Sequence, residues 1–134
     1  MEIKDKSLKE LETLSQEIRD RIIDVVSRKG GHFSSTLGAV ELTLGMHYVF
    51  DAYSDPFIFD VSHQCYPHKL LTGRWEEFET VRQFGGLSGF TKPNESPADY
   101  FVAGHSSTSI SLAVGAAKAI KLKKEKRVPV VMIG

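Results

Sequence analysis

Phe57-Ile58-Phe59-Asp60-Val61 runs straight into Ser62-His63-Gln64. The first five residues, rich in aromatic and β-branched side chains, read as a short strand. Polar, hydrogen-bonding residues directly after a buried strand stand where open α/β sheets keep their ligands. A second run, Arg127-Val128-Pro129-Val130-Val131-Met132-Ile133-Gly134, reads as a buried strand followed by glycine. Helical patterns separate the two, and that alternation argues for an α/β fold with a parallel sheet.

Upstream, Ser7-Leu8-Lys9-Glu10 has the form of a capping box. Leu8, Leu11, Ile18, Ile22, Val25 and Val26 then recur at helical spacing until Gly30-Gly31 stops the helix. A second helix is expected from about Leu37 to Phe50. Val40, Leu42, Leu44, Met46 and Val49 leave Glu41 and His47 as its polar exceptions, which predicts burial on nearly every side. Downstream of the first strand, Pro67 suits a first helical turn. Arg74 to Phe84 reads as a small helix ended by Gly85-Gly86. Gly86 to Asp99, with Gly89, Pro93, Asn94 and Pro97, reads as an irregular loop long enough to suggest a function. Asp99 to Val102 is expected as a short strand. Ile110 to Lys124 reads as a helix that begins with small residues and ends in lysines, which complement the negative end of its dipole.

Composition excludes several classes. The chain has 134 residues, 41% hydrophobic and 25% charged, ordinary for one soluble domain with a core. Seventeen basic residues balance seventeen acidic ones, so no net field favours nucleic acid or an anionic membrane. The single cysteine, Cys65, forms no intrachain disulfide, which fits a reducing compartment. No apolar run has the length of a membrane span, and the start of the chain does not read as a signal peptide. A cytoplasmic protein without membrane or nucleic-acid partners is expected. The chain stops on the last residue of a central strand, where the ligand loop of an α/β sheet would begin. A fragment of a longer protein is therefore expected.

Four segments set a histidine beside glycine, serine or proline: Gly31-His32-Phe33-Ser34, Ser62-His63-Gln64, Pro67-His68-Lys69 and Gly104-His105-Ser106. Imidazole moves protons near neutral pH, and glycine lets a ligand approach the backbone. Gly104 to Ser109 opens a helix whose free N–H groups suit an anion. Against this, a lone histidine at a loop is more often a hydrogen-bonded structural residue, and Ser106 to Ser109 reads equally as an N-cap with its neighbours. His63 and His68 are five residues apart, the wrong spacing for zinc on one helix face. Cys65 as a nucleophile is weaker still. Residue chemistry alone stops at an α/β domain with several candidate histidines.

Longer blocks go further. Gly31-His32-Phe33-Ser34-Ser35, Leu37-Gly38-Ala39-Val40-Glu41-Leu42-Thr43, Phe59 to Arg74, Arg82-Gln83-Phe84-Gly85-Gly86-Leu87 and Gly104 to Ser111 stand in one order and spacing. In these blocks the chain resembles the 1-deoxy-D-xylulose-5-phosphate synthase family of the transketolase superfamily, over nearly everything beyond the first helix. His63-Gln64-Cys65-Tyr66-Pro67-His68-Lys69 and Gly104-His105-Ser106-Ser107-Thr108-Ser109 are the specific blocks, and they argue against other transketolase-type N-terminal subunits.

The resemblance implies the N-terminal portion of a parallel-sheet thiamine-diphosphate-binding domain over residues 1–134, ending before that family's metal motif. It implies condensation of pyruvate with D-glyceraldehyde 3-phosphate with release of CO2, thiamine diphosphate and Mg²⁺ as cofactors, and a homodimer at full length. His32 is expected to be catalytic, and His63, Gly104, His105 and Ser106 to bind cofactor. All are expected to face one cavity, with Ser35 one turn from His32 near substrate. The metal ligands, the glutamate that activates the aminopyrimidine and the residues gripping the glyceraldehyde phosphate are expected after Gly134. Ser62 stands where the family usually has glycine and Cys65 where alanine is common; both are small, and tolerance is expected. The alternative is a non-catalytic or split-subunit module related to a transketolase N-terminal half.

Overall fold

The computed structural model describes residues 3–134. Helix α1 (Leu8–Lys29) begins at the expected capping box: the Ser7 N–H donates to Glu10 Oε2 at 2.8 Å and the Glu10 N–H to Ser7 Oγ at 3.4 Å. It ends at Gly30, whose φ of 81° costs glycine little. Leu14, Ile18, Ile22, Val25 and Val26 form its buried stripe, whereas Leu8 is exposed.

The single helix expected from Leu37 to Phe50 is two. A one-turn α2 (Ser34–Leu37) closes through Gly38 and Ala39, whose N–H groups bond the Ser34 and Thr36 carbonyls. Helix α3 (Val40–Val49) then starts on a new axis. It is not buried all round: Val40, Thr43, Leu44 and Met46 face inward, while Leu42, Tyr48 and Val49 are exposed. Among the described residues α3 packs on α1 and the later α4, and an open groove between α1 and α3 leaves Tyr48 and Val49 uncovered.

Strand β1 (Phe57–Phe59) is fully buried, and α4 (Tyr66–Leu71) follows with Pro67 in its first turn, as expected. The helix expected from Arg74 to Phe84 shrinks to one 3₁₀ turn, Glu77–Thr80. Val81 leaves it with an extended ψ of 131° and Arg82 takes a left-handed φ of 61°, so the helix has no continuation. Residues 86–99 form the expected irregular loop. Asp99 to Val102 is not a strand, because Asp99 turns back, bonding the Ser96 carbonyl and burying its carboxylate.

Helix α5 (Ser109–Leu122) leads to strand β2 (Val130–Met132). The strands pair in parallel, Phe57 with Val130, Ile58 with Val131 and Phe59 with Met132. The Asp60 N–H extends the ladder to the Met132 carbonyl at 2.8 Å. The core lies between this small sheet and α1, α3 and α4, with Tyr66, Phe59, Phe78 and Ile22 among its interior side chains. Helix α5 rests on both strands but buries only Ser109 and Ile120, leaving Ile110, Val114 and Leu122 exposed. The fold is thus α/β with a parallel sheet, as the alternation of elements predicts.

Candidate active site

The turn after β1 carries the first site residue. Val61 and Ser62 both adopt left-handed backbone, with φ of 59° and 75°, a costly choice for a β-branched residue. Ser62 is held there by its neighbours: its Oγ accepts the Thr91 N–H at 2.7 Å and donates to Thr91 Oγ1 at 3.0 Å. The next residue, His63, is fixed through its carbonyl, which accepts from Thr36 Oγ1 at 3.1 Å. Strain and compensating bonds together set where the His63 ring points.

His32 arrives from the loop between α1 and α2. Its N–H donates to the Tyr66 hydroxyl at 3.4 Å, and a side chain at Gly31 is precluded because a Cβ would stand 2.7 Å from that hydroxyl. The His32 and His63 rings meet edge to face, 5.7 Å between centroids. Phe90 and Tyr66 complete the enclosure at 5.2 and 6.0 Å. Burial lowers the His32 pKa, the Arg82 guanidinium and His63 lower it further, and the Gly89 backbone opposes them. At neutral pH His32 is therefore a neutral imidazole, able to accept a proton.

The Nδ1 atoms of His32 and His63 and the Oε1 of Gln64 are buried with no hydrogen-bond partner. Interior polar atoms are almost always paired, so three orphans within one neighbourhood mark a place for a polar ligand. A cavity of about 310 Å³ opens beside His63 and Gln64, with Ser35, Gly38 and Gly134 among its walls; His32 meets the His63 ring but does not line this cavity.

The expected single cavity is divided. Gly104 and His105 line a separate surface cavity with Ser107 and Thr108, and neither His32 nor His63 borders it; Ser106 is exposed. The division has a physical cause in Asp60. Its Oδ1 accepts the Ser107 N–H at 2.8 Å and its Oδ2 the Ser109 hydroxyl at 2.9 Å. A carboxylate of the chain thereby ties the start of α5 down onto the end of β1. No side chain caps α5, so the reading of Ser106 to Ser109 as an N-cap falls away.

The other histidine of the α4 block has a different part. His68 is completely buried, its Nε2 3.0 Å from Asp99 Oδ1 and its Nδ1 3.0 Å from His47 Nε2. Arg74 grips Asp99 with two bonds of 2.9 Å, and Lys69 pairs with Glu95. This cluster clamps the 86–99 loop to α4 and touches no cavity wall named above. Cys65 is inert: burial pushes its thiol up to about 11, so no thiolate forms near neutral pH. Arg82 and Phe90 carried no expectation of their own, although both lie in or beside the loop whose length suggested a function.

Among the described residues, no three His, Cys, Asp or Glu side chains converge as a metal cage. No helix is long and apolar enough to cross a membrane.

The chain is similar to known proteins over its whole length. The chain is 90% identical over its whole length to the 1-deoxy-D-xylulose-5-phosphate synthase of Aliarcobacter butzleri and 74% identical to that of Nitratiruptor sp., in each case covering 22% of the relative. It is 68% identical to the synthase of Campylobacter jejuni over 133 residues, 99% of this chain and 21% of that protein. It thus spans about a fifth of the length of the curated relatives it matches. The mixed helical architecture with its small parallel sheet is consistent with the N-terminal thiamine-diphosphate-binding domain of such enzymes. The match to the family described as 1-deoxy-D-xylulose-5-phosphate synthase runs from residue 1 to residue 134, and the chain belongs to that family.

Proposed function

We propose that residues 1–134 are the N-terminal part of the diphosphate-binding domain of a thiamine-diphosphate-dependent transferase. That enzyme joins pyruvate to D-glyceraldehyde 3-phosphate with loss of CO2, feeding isoprenoid, thiamine and pyridoxal synthesis. The observation that carries this reading is the pair of facing imidazoles, His32 and His63, each with a buried Nδ1 that lacks a partner. The residues fit a polar heteroaromatic ligand. His63 and Gln64 offer hydrogen bonds beside Ser35, which this reading sets near substrate; Gly104 and His105, with the exposed Ser106 next to them, offer a separate surface for the rest of the cofactor.

Thiamine diphosphate, when bound, supplies the electron sink that lets pyruvate lose CO2. His32, neutral and enclosed by Phe90 and Tyr66, accepts a proton at one step and returns it as the aldehyde oxygen of the acceptor becomes a hydroxyl. Arg82, beside His32, favours the neutral form and so keeps the base available. Asp60, at the end of β1, has both oxygens engaged and no three ligating side chains converge among the described residues, so in this reading Mg²⁺ takes its ligands from outside them. The working enzyme in this reading is a cytoplasmic homodimer.

The test uses a polypeptide of the relatives' full length carrying this sequence. Release of CO2 from labelled pyruvate should depend on glyceraldehyde 3-phosphate, thiamine diphosphate and Mg²⁺ together. Release that persists without thiamine diphosphate would refute the assignment.

A further inference from the structure

Asp60 has a position that none of the expected site residues shares. It is 6% exposed and, among the described residues, has no basic ion-pair partner. Its four polar groups reach four residues in three places. Oδ1 accepts the Ser107 N–H and Oδ2 the Ser109 hydroxyl; its N–H donates to the Met132 carbonyl, and its carbonyl accepts Gln64 Nε2 at 3.0 Å. One residue at the end of β1 thus ties together the entrance of α5, the end of β2 and the turn that carries His63. Ser107 meets it with a left-handed φ of 67°, a conformation that aims its N–H at the carboxylate. A buried carboxylate without a cation is costly, and these donors together with the positive end of α5 offset that cost.

We propose that Asp60 is a positioning residue: its carboxylate fixes the Gly104–Ser109 segment relative to His63, and so sets the affinity of the site for its diphosphate cofactor. This rests on the functional reading above. Asp60 itself lines neither cavity and acts through the wall residues Ser107 and Gln64 that it bonds, and through Ser109. Its loss should loosen the segment while leaving His32 in place, because His32 is held independently by Tyr66.

The test compares wild type, Asp60→Asn and Ser109→Ala in the full-length polypeptide. Two readouts are needed: calorimetric affinity for thiamine diphosphate with Mg²⁺, and amide hydrogen exchange at residues 104–109. Asp60→Asn is expected to weaken cofactor binding about tenfold or more, the worth of one charge-assisted hydrogen bond. Exchange at 104–109 should quicken while α1 stays protected, and saturating cofactor should restore most of the turnover. Ser109→Ala, which keeps the backbone bond to Asp60, should shift both readouts in the same direction by about threefold. It decides the matter if Asp60→Asn does not fold. Unchanged exchange in the variants, or faster exchange with unaltered affinity, would overturn the proposal. Wild type that fails to bind thiamine diphosphate would instead overturn the functional reading, and exchange alone would then rule on the tether.

Discussion

The Tyr66 hydroxyl fills the space that a side chain at Gly31 would need, and the same oxygen accepts the N–H of His32. One buried phenol therefore fixes the backbone on both sides of the Gly31–His32 bond. Gly31→Ala meets the hydroxyl head-on and must also hold a φ of 144°. We expect a loss of about 1–3 kcal/mol in stability, read from urea denaturation. Tyr66→Phe should cost less, about 1 kcal/mol, since one neutral hydrogen bond is lost and the ring remains.

His32→Ala in the full-length polypeptide should lower kcat by about 10² to 10⁴. Cofactor affinity should move far less, because His63, Gln64 and the Gly104 segment remain. Steady-state kinetics with a parallel calorimetric titration separates the two quantities, and turnover within about threefold of wild type would remove His32 from the chemistry.

Ser62 lets strain and bonding be weighed against each other. Ser62→Gly relieves the left-handed backbone but leaves the Thr91 N–H without its acceptor; Ser62→Ala loses the acceptor and keeps the strain. Both should destabilise the chain, and alanine should be worse than glycine by about 1 kcal/mol. Paired denaturation curves give that difference directly.

The buried cluster should make the chain acid-sensitive. Burial, with His68 and Arg74 nearby, lowers the His47 pKa from its ordinary 6.5 to about 3. The unfolded chain then binds the proton first, so this stabilisation is complete above about 6.5 and is lost as pH falls toward 3. Asp99 acts in the same sense at lower pH. Burial resists its charge, but bonds from His68 and Arg74 outweigh burial and hold its carboxyl well below the usual range. Its contribution is present above about 4 and fades below that. Stability should fall by up to about 1.4 kcal/mol per pH unit for His47 alone, and His47→Gln should flatten the profile between pH 6 and 4.

Residues 1–134 by themselves should not bind thiamine diphosphate tightly. Attraction to a helix end is worth about 0.3–2 kcal/mol, too little alone for tight binding against the entropic cost of capture. Calorimetry with Mg²⁺ present decides this, and micromolar affinity for one equivalent would show that these residues replace the expected metal ligands.

What the sequence disclosed follows from how far each cause reaches along the chain. The Ser7–Glu10 box and Pro67 in a first turn depend on neighbours a few residues away and are found where local chemistry puts them. The two apolar runs are strands only over Phe57–Phe59 and Val130–Met132, and the second, expected to be buried, buries only Met132 because it stands at the edge of a two-stranded sheet. The Arg74–Asp99 clamp joins residues 25 apart through side chains that look like ordinary surface charge, and no local pattern announces it. Leu42 and Val49 read as core because they are apolar; they are exposed because each borders an open cavity, Leu42 beside His63 and Val49 in the groove between α1 and α3. The facing of His32 and His63 was legible only through family resemblance. Composition offers no reason for two histidines 31 positions apart to meet.

Helix α5 has a temporal consequence. Its outward side chains Ile110, Val114 and Leu122 find no cover within residues 3–134. In a polypeptide of the relatives' length, most of the chain is still to be made when α5 leaves the ribosome. At about 5–20 residues per second, making that remainder takes tens of seconds, the longest the helix would wait for a cover drawn from it. Slow codons just downstream would lengthen the interval, and chaperone binding on the nascent chain should peak within it.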